Sequence, residues 1–274
     1  MCIMKRTANV EMLIVGNEIL TGDIQDTNSN WLCKLMHEKG GSVNRVTVIP
    51  DVLDTIAQEV RAAVERGVDI LFTSGGLGPT SDDLTLEGVA IAAGCGVEIH
   101  PDALEMLKKQ FQHFFDKGII KQTELTPARK KMACIPQNSE PLFNTVGIAP
   151  GVHMKIGQTS VVCAPGIPSE HKAVVNQALE QFFGDLFVQG NALSRRITVN
   201  DGGEAYVEPV ITRISQKYPE IYTKSLAKAI GNSPELDVIM TISGVGNKEE
   251  MLNQAYDELC SGISDLGFTI TAKP

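Results

Sequence analysis

Apolar positions in the first hundred residues fall into short runs separated by polar, glycine-bearing segments. Val10–Val15 predicts a short strand. Trp31, Leu32, Leu35 and Met36 follow the helical period, so a helix is predicted over Asn28–Lys39. Asp26 or Thr27 can cap its start, and Gly40-Gly41 closes it. Ser42–Val48 predicts a second strand, Val52–Glu65 a second helix capped by Asp51, and Asp69–Thr73 a third strand. A glycine-rich loop and a third helix, from about Leu84 to Ala93, complete the pattern. Strand and helix alternate, which predicts a largely parallel sheet with right-handed crossovers. The strands lack strict polar alternation, as suits a sheet covered on both faces.

The next segment is less regular. A helix is predicted over Asp102–Asp116 after Pro101, then strands at Thr145–Ile148, Val152–Ile156 and Thr159–Ala164. The last two form a hairpin around Gly157-Gln158, and a helix follows over Ser169–Phe183. Gln189–Asn191 is the expected linker. It divides an α/β domain at 1–190 from a small α+β module at 191–274 that reads β-α-β-β-α with a short last strand. In that module Val207, Val210, Ile211 and Ile214 share one helix face, and Glu204 stands at the helix start, where the dipole favours an acid.

Composition narrows the class. With 274 residues, about two domains are expected at roughly 150 residues each. A 43% hydrophobic and 21% charged chain is ordinary for a globular protein. Lys+Arg is 24 against 33 Asp+Glu, a net charge of −9, which argues against general nucleic-acid binding. No apolar stretch approaches the ~18 residues of a membrane helix, and the N-terminus has no signal-like apolar region. Cysteines at 2, 33, 95, 134, 163 and 260 form no Cys-x-x-Cys pair. They read as reduced thiols in a cytoplasmic protein.

Ligands of a parallel α/β sheet bind beyond the carboxyl ends of its strands. Three loops lie there: GNEILTGDIQDTN at 16–28, IPD at 49–51 and TSGGLGPTSDD at 73–83. In the third, Gly75, Gly76 and Gly78 allow close backbone approach, and Ser74, Thr80 and Ser81 add hydroxyls. The loop opens onto a helix N-terminus, a favourable place for an anion. It is neither a Walker loop nor GxGxxG. Two readings stand at this point: a phosphate cradle, or a plain tight turn capped by Thr80, Asp82 or Asp83.

Glu18, Asp23, Asp26, Asp51, Asp82 and Asp83 are expected along one rim. Bare carboxylates repel phosphate. A divalent cation between them reconciles the two, since Mg²⁺ typically takes one or two carboxylates plus phosphate oxygens and water. Asp51 and Asp26 can equally be simple helix caps. Lys108–Lys131 carries seven Lys/Arg, which read as a solvated face or as a basic wall for a second phosphate. His113, His153 and His171 have no metal-ligand spacing. Asn144–Gly151 and Ala164–Glu170 read as rigid turns, and the second opens a helix able to present N–H groups to an anion.

The segments VGNEILTGDIQDTNSNWL, TSGGLGPTSDD, ARKKMACIPQNSEPLFNTVGIAPGV and CAPGIPSE together resemble the N-terminal domain of the CinA (competence/damage-inducible) family. That domain belongs to the MoaB/Mog-like molybdopterin-binding superfamily. The match runs from about Val10 to Glu180, and the tail resembles the module that follows in CinA proteins. The resemblance implies a three-layer α/β/α domain with a mostly parallel sheet. It implies a ligand site at Asn17, Glu18, Thr21, Asn28, Ser74, Gly75, Gly76, Gly78, Pro79, Thr80, Ser81, Asn144 and Gly147. Asp83, Asp51 and Asp82 are the implied catalytic acids, with Asp83 and Asp51 on a divalent Mg, Mn or Co ion.

For function, the resemblance implies metal-dependent pyrophosphatase action on ADP-ribose or an FAD-like dinucleotide. Two other readings are molybdopterin binding or adenylylation, and a non-catalytic nucleotide-binding regulator. The partner is then a small nucleotide or pterin phosphate, and a homodimer is implied. Two departures from the family matter. Asn17 stands where many CinA proteins have Asp. The chain also has no room for the C-terminal nicotinamide-mononucleotide deamidase domain of full-length CinA, so no deamidase activity is expected.

Overall fold

The computed structural model describes residues 8–184, 186–187, 193–200, 203–227, 235–242 and 247–273. The chain divides into two compact units, residues 1–37 with 41–187 and residues 188–274 with 38–40. The first begins β1 (Asn9–Val15), α1 (Asn17–Leu20), α2 (Asn28–Glu38), β2 (Ser42–Ile49), α3 (Leu53–Glu65), β3 (Ile70–Ser74) and α4 (Thr85–Ala93). It continues β4 (Val97–Ile99), α5 (Pro101–Asp116), α6 (Pro127–Lys131), β5 (Cys134–Pro136) and β6 (Glu140–Leu142), then β7 (Gly151–Ile156), β8 (Thr159–Ala164) and α7 (Pro168–Phe182).

The main sheet has the order β2-β1-β3-β8-β7-β6. The first four strands are mutually parallel, while β7 and β6 add on antiparallel. Alternation along β1 explains its mostly apolar sequence, in which the buried Glu11 is paired with Arg66 at 2.6 Å. Leu13 and Val15 pack on the face covered by α3, α4 and α5, and Val10, Met12 and Ile14 pack on the face covered by α2 and α7. Both faces are buried, so neither side of the strand needs polar residues. The three-layer α/β/α expectation holds. The β7–β8 hairpin also forms as expected, turning at Gly157 with φ 60.

Two sequence expectations are corrected. Thr145–Ile148 is an irregular loop, because the Asn144 side chain takes the N–H groups of Val146 and Gly147 away from any ladder. Asp51 does not cap α3; Val52 is the N-cap, with no side-chain bond. The structure also adds elements that the sequence pattern did not predict: α1, α6 and the small β4–β5 sheet. Asp26 does cap α2, accepting from the N–H groups of Asn28 (3.0 Å) and Ser29 (3.1 Å).

The second unit runs β9 (Leu193–Asn200), α8 (Glu204–Lys217), β10 (Tyr222–Ala227), β11 (Glu235–Ile242), α9 (Lys248–Asp265) and β12 (Thr269–Lys273). Its antiparallel sheet has the order β10-β11-β9-β12, the split β-α-β arrangement. Val207, Val210 and Ile214 of α8 join Leu252, Ala255, Leu259 and Ile263 of α9 over this sheet. The expected linker, Gln189–Asn191, lies outside the described residues. Cys33, Cys95, Cys134, Cys163 and Cys260 are free thiols, as expected, and burial pushes Cys163 up to about 12.

Candidate functional site

Strand register gathers the site. Val15 lies opposite Ile49, Ile14 opposite Ser74, and Ser74 opposite Ala164. The ends of β1, β2, β3 and β8 are therefore level, and their following loops open on one edge. A cavity of about 760 Å³ lies there. That is a size suited to a cofactor or nucleotide. Its floor and rim include Glu18, Asn28, Asp51, Ser74, Gly75 and Gly76. Gly78, Pro79, Asp82, Asp83 and Gly147 complete the predicted residues that line it.

The other predicted residues stand outside the lining. Asn17 donates its backbone N–H to Asp51 Oδ2 at 2.8 Å, so it fixes the acid rather than facing the cavity. The Thr21 hydroxyl is engaged by Asp23 at 2.7 Å. Ser81 is exposed in its loop. Thr80 gives its N–H (2.8 Å) and hydroxyl (2.6 Å) to Asp83 Oδ2, and the hydroxyl also contacts Asp82. Asn144 is buried and organises the loop behind Gly147.

The glycine loop is strained in a way only glycine tolerates. Gly75 has φ 101, and a Cβ there would lie 2.2 Å from the Val15 carbonyl oxygen. This backbone turns the chain away from the sheet while Gly75 still donates to Ala164 O at 3.1 Å. The N–H groups of Gly76, Leu77 and Gly78 donate to no acceptor among the described residues. Nor does a side chain cap α4, whose N-cap is Leu84. Asp83 and Asp82 tie the turn at Thr80, and the amides of Gly76–Gly78 stay open beside it.

Lys131 braces this loop from behind. Its ammonium donates to the carbonyl oxygens of Thr80 and Asp83, the latter at 2.8 Å. Lys131→Met is expected to cost about 1 kcal/mol, since the bonds are charged but partly solvated. A urea melt measures it. Asp82 is held below the usual carboxylate range, first by the Thr80 hydroxyl, then by backbone and by Lys131.

Four cavity residues escape sequence reasoning. Phe111 and Phe114 of α5 form an apolar wall, an i, i+3 pair that reads simply as core. Arg129 lies over the Phe111 ring at 4.3 Å and donates to the carbonyls of Gln122 and Glu124 at 2.9 Å. It belongs to the basic stretch, and only the fold distinguishes it from its neighbours. Glu170, on the first turn of α7, is half-buried, and burial raises its carboxyl above the ordinary range while Asn144 opposes the shift.

His171, next on α7, is fully buried and meets Trp31 edge-on at 5.9 Å. Burial drives its pKa down to about 4 from 6.5, with the Pro165 backbone and Asp26 pulling the other way. The unfolded chain then binds a proton that the folded one refuses. Stability is full above pH 6.5 and is lost as pH falls toward 4, by about 2 kcal/mol between pH 7 and pH 5. Melts at both pH values check this, and the difference should shrink in His171→Leu.

Among the described residues, no three His, Cys, Asp or Glu side chains converge as a self-sufficient metal group. Asp51 and Asp83 each have one oxygen engaged and Oδ1 without a hydrogen bond among the described residues. Two hard carboxylate oxygens on a cavity rim fit a Mg²⁺-like ion completed by phosphate and water.

A sequence model described as a probable molybdopterin binding domain matches residues 11–185. The chain belongs to this molybdopterin-binding domain family. A protein of Aeropyrum pernix is 35% identical over 263 residues, 95% of each chain. One of Pyrococcus horikoshii is 38% identical over 208 residues, covering 76% of this chain and 81% of that one. The crystal structure of a CinA protein of unknown function from Thermoplasma acidophilum is 38% identical, with a TM-score of 0.57. It aligns with 66% of this chain and 99% of its own. The chain is thus a CinA-like member of the family, and the family implies a small pterin or nucleotide ligand. Among the described residues no helix is long and apolar enough to cross a membrane.

Proposed function

We propose that the cavity binds the pyrophosphate of an ADP-ribose-like or FAD-like dinucleotide and hydrolyses it with a divalent cation. The observation that carries this is the pairing of open amides at Gly76–Gly78 with spare carboxylate oxygens on Asp51 and Asp83. An anion cradle beside acids makes electrostatic sense with a cation between them. Asp83 and Asp51 would hold it. Bound there, such an ion polarises phosphorus and lowers the pKa of water.

The protein supplies the rest. Open amides stabilise charge building on the phosphoryl oxygens. Lys131 and the Asp83–Thr80 bonds keep those amides in place. Phe111 and Phe114 shield a planar ring from water. Water oxygen attacks one phosphorus, the bridging P–O bond breaks, and the bridging oxygen leaves with the other phosphate. ADP-ribose and water thereby give AMP and ribose 5-phosphate.

Incubation with ADP-ribose, FAD and NAD⁺, with and without Mg²⁺, Mn²⁺ or Co²⁺, tests this by AMP release. Cation-dependent release from any of them supports the hydrolase. Binding without release under every cation overturns it and favours a nucleotide-binding regulator. The family model favours a second ligand, a pterin phosphate, either bound or adenylylated. Preference for molybdopterin over the dinucleotides in a binding assay would select that reading. The homodimer and the cytoplasmic setting belong to the same proposal, as does the division into domains at 1–190 and 191–274.

A further inference from the structure

Residues 144–149 are held by bonds from within and from α5. Asn144, 1% exposed, accepts from the N–H groups of Val146 (3.1 Å) and Gly147 (2.8 Å) and donates to Ala149 O at 2.9 Å. Gln110, also buried, donates to the carbonyl oxygens of Asn144 and Gly147. Asn144 then donates to Glu170 Oε2 at 2.6 Å. A Cβ at Gly147 would lie 1.9 Å from that same carboxylate oxygen. The loop is therefore a socket for one carboxyl group. Asn144 and Gly147 serve the cavity through it. Glu170 Oε1 accepts no hydrogen bond among the described residues, and Glu170 lines the cavity.

The sheet sets its distance from the amide cradle. Strands β3 and β8 are neighbours, and a Cβ on Gly166 would lie 3.5 Å from Gly75 Cα. Glu170 follows Gly166 by four residues, in the first turn of α7. The segment that leads to Glu170 therefore passes beside the glycine loop, and Glu170 and the glycine loop line the same cavity. On a nucleotide the sugar is the part covalently next to the phosphate, so a second polar group in the same cavity meets it before the base. A carboxylate on a ribose hydroxyl is a known device of dinucleotide sites.

We propose that Glu170 is the specificity-determining acceptor of this cavity and reads a ribose hydroxyl next to the bound phosphate. The inference rests on the phosphate-binding reading above. A half-buried carboxyl with a spare oxygen has lost part of its hydration, and a sugar hydroxyl restores the missing donor.

The test is calorimetric titration of the full chain, with Mg²⁺, against inorganic pyrophosphate, ADP, 2′-deoxy-ADP and 3′-deoxy-ADP. The wild type should bind ADP about tenfold or more tightly than at least one deoxy analogue. In Glu170→Met that ratio should fall to about twofold or less, with pyrophosphate affinity unchanged. Glu170→Gln should restore part of the preference, because an amide still pairs with a hydroxyl. Gly147→Ala, which displaces the carboxyl, should lose it. A ratio that survives in Glu170→Met overturns the proposal. So does an equal loss of pyrophosphate and ADP binding, which would make Glu170 a structural residue only. So does a wild type that binds both deoxy analogues as tightly as ADP. Failure of the wild type to bind pyrophosphate removes the phosphate-binding reading itself, and this inference with it.

Discussion

Asp83→Asn should leave the fold standing and lower cation-dependent turnover by about 100-fold or more. The Asn oxygen can still accept from the Thr80 N–H and hydroxyl, now made by Asp83 Oδ2 at 2.8 and 2.6 Å. The glycine loop therefore keeps its shape. What disappears is the negative charge on the cavity rim that would hold the cation. Asp83→Ala is a poorer test, since it also removes those loop bonds. AMP release against cation concentration measures the effect, and a urea melt checks the fold. Asp51→Asn should act in the same direction, because it keeps an acceptor for the Asn17 N–H while removing charge. Turnover unchanged in Asp83→Asn, with the cation still required, would remove Asp83 from the reaction.

The second large effect is on stability. Gly75→Ala is expected to cost about 3–4 kcal/mol. Part is the strain of a side chain at φ 101, and part is the collision of its Cβ with the Val15 carbonyl at 2.2 Å. Backbone on two adjacent strands cannot give way as a flexible side chain can. Tm should fall by roughly 10 °C in a domain of this size. Gly157→Ala is the control. Its φ is also positive, at 60, yet a Cβ there meets nothing within 4 Å. Only conformational strain remains, about 1 kcal/mol. Similar losses for both variants would show that the close approach at Gly75 carries no energy.

Much of the first unit was legible because its signals are local. The strand and helix alternation over residues 10–93, the cap at Asp26 and the glycine loop all follow from neighbouring residues. The misreadings share one cause. Asp51 looks like a helix cap, but its carboxylate is taken by the amide of Asn17 across the β1–β2 edge. Thr145–Ile148 looks like a strand, but its amides bond to the Asn144 side chain. In each case one polar side chain competes for backbone groups that local propensity assigns elsewhere.

The sequence by itself determined the strand and helix alternation over residues 10–93, the family, and the glycine-rich loop with the acids that flank it. These depend on residue type and on spacing within one loop or one turn. Tertiary structure alone decided which acid oxygens stay open, which lysine braces the loop, and that Phe111 and Arg129 form a cavity wall. It also joined Asn144, Gly147 and Glu170 into one socket. These outcomes turn on which donor reaches which acceptor across strands and helices. Such pairings are set by sheet register and packing, and no local pattern records them.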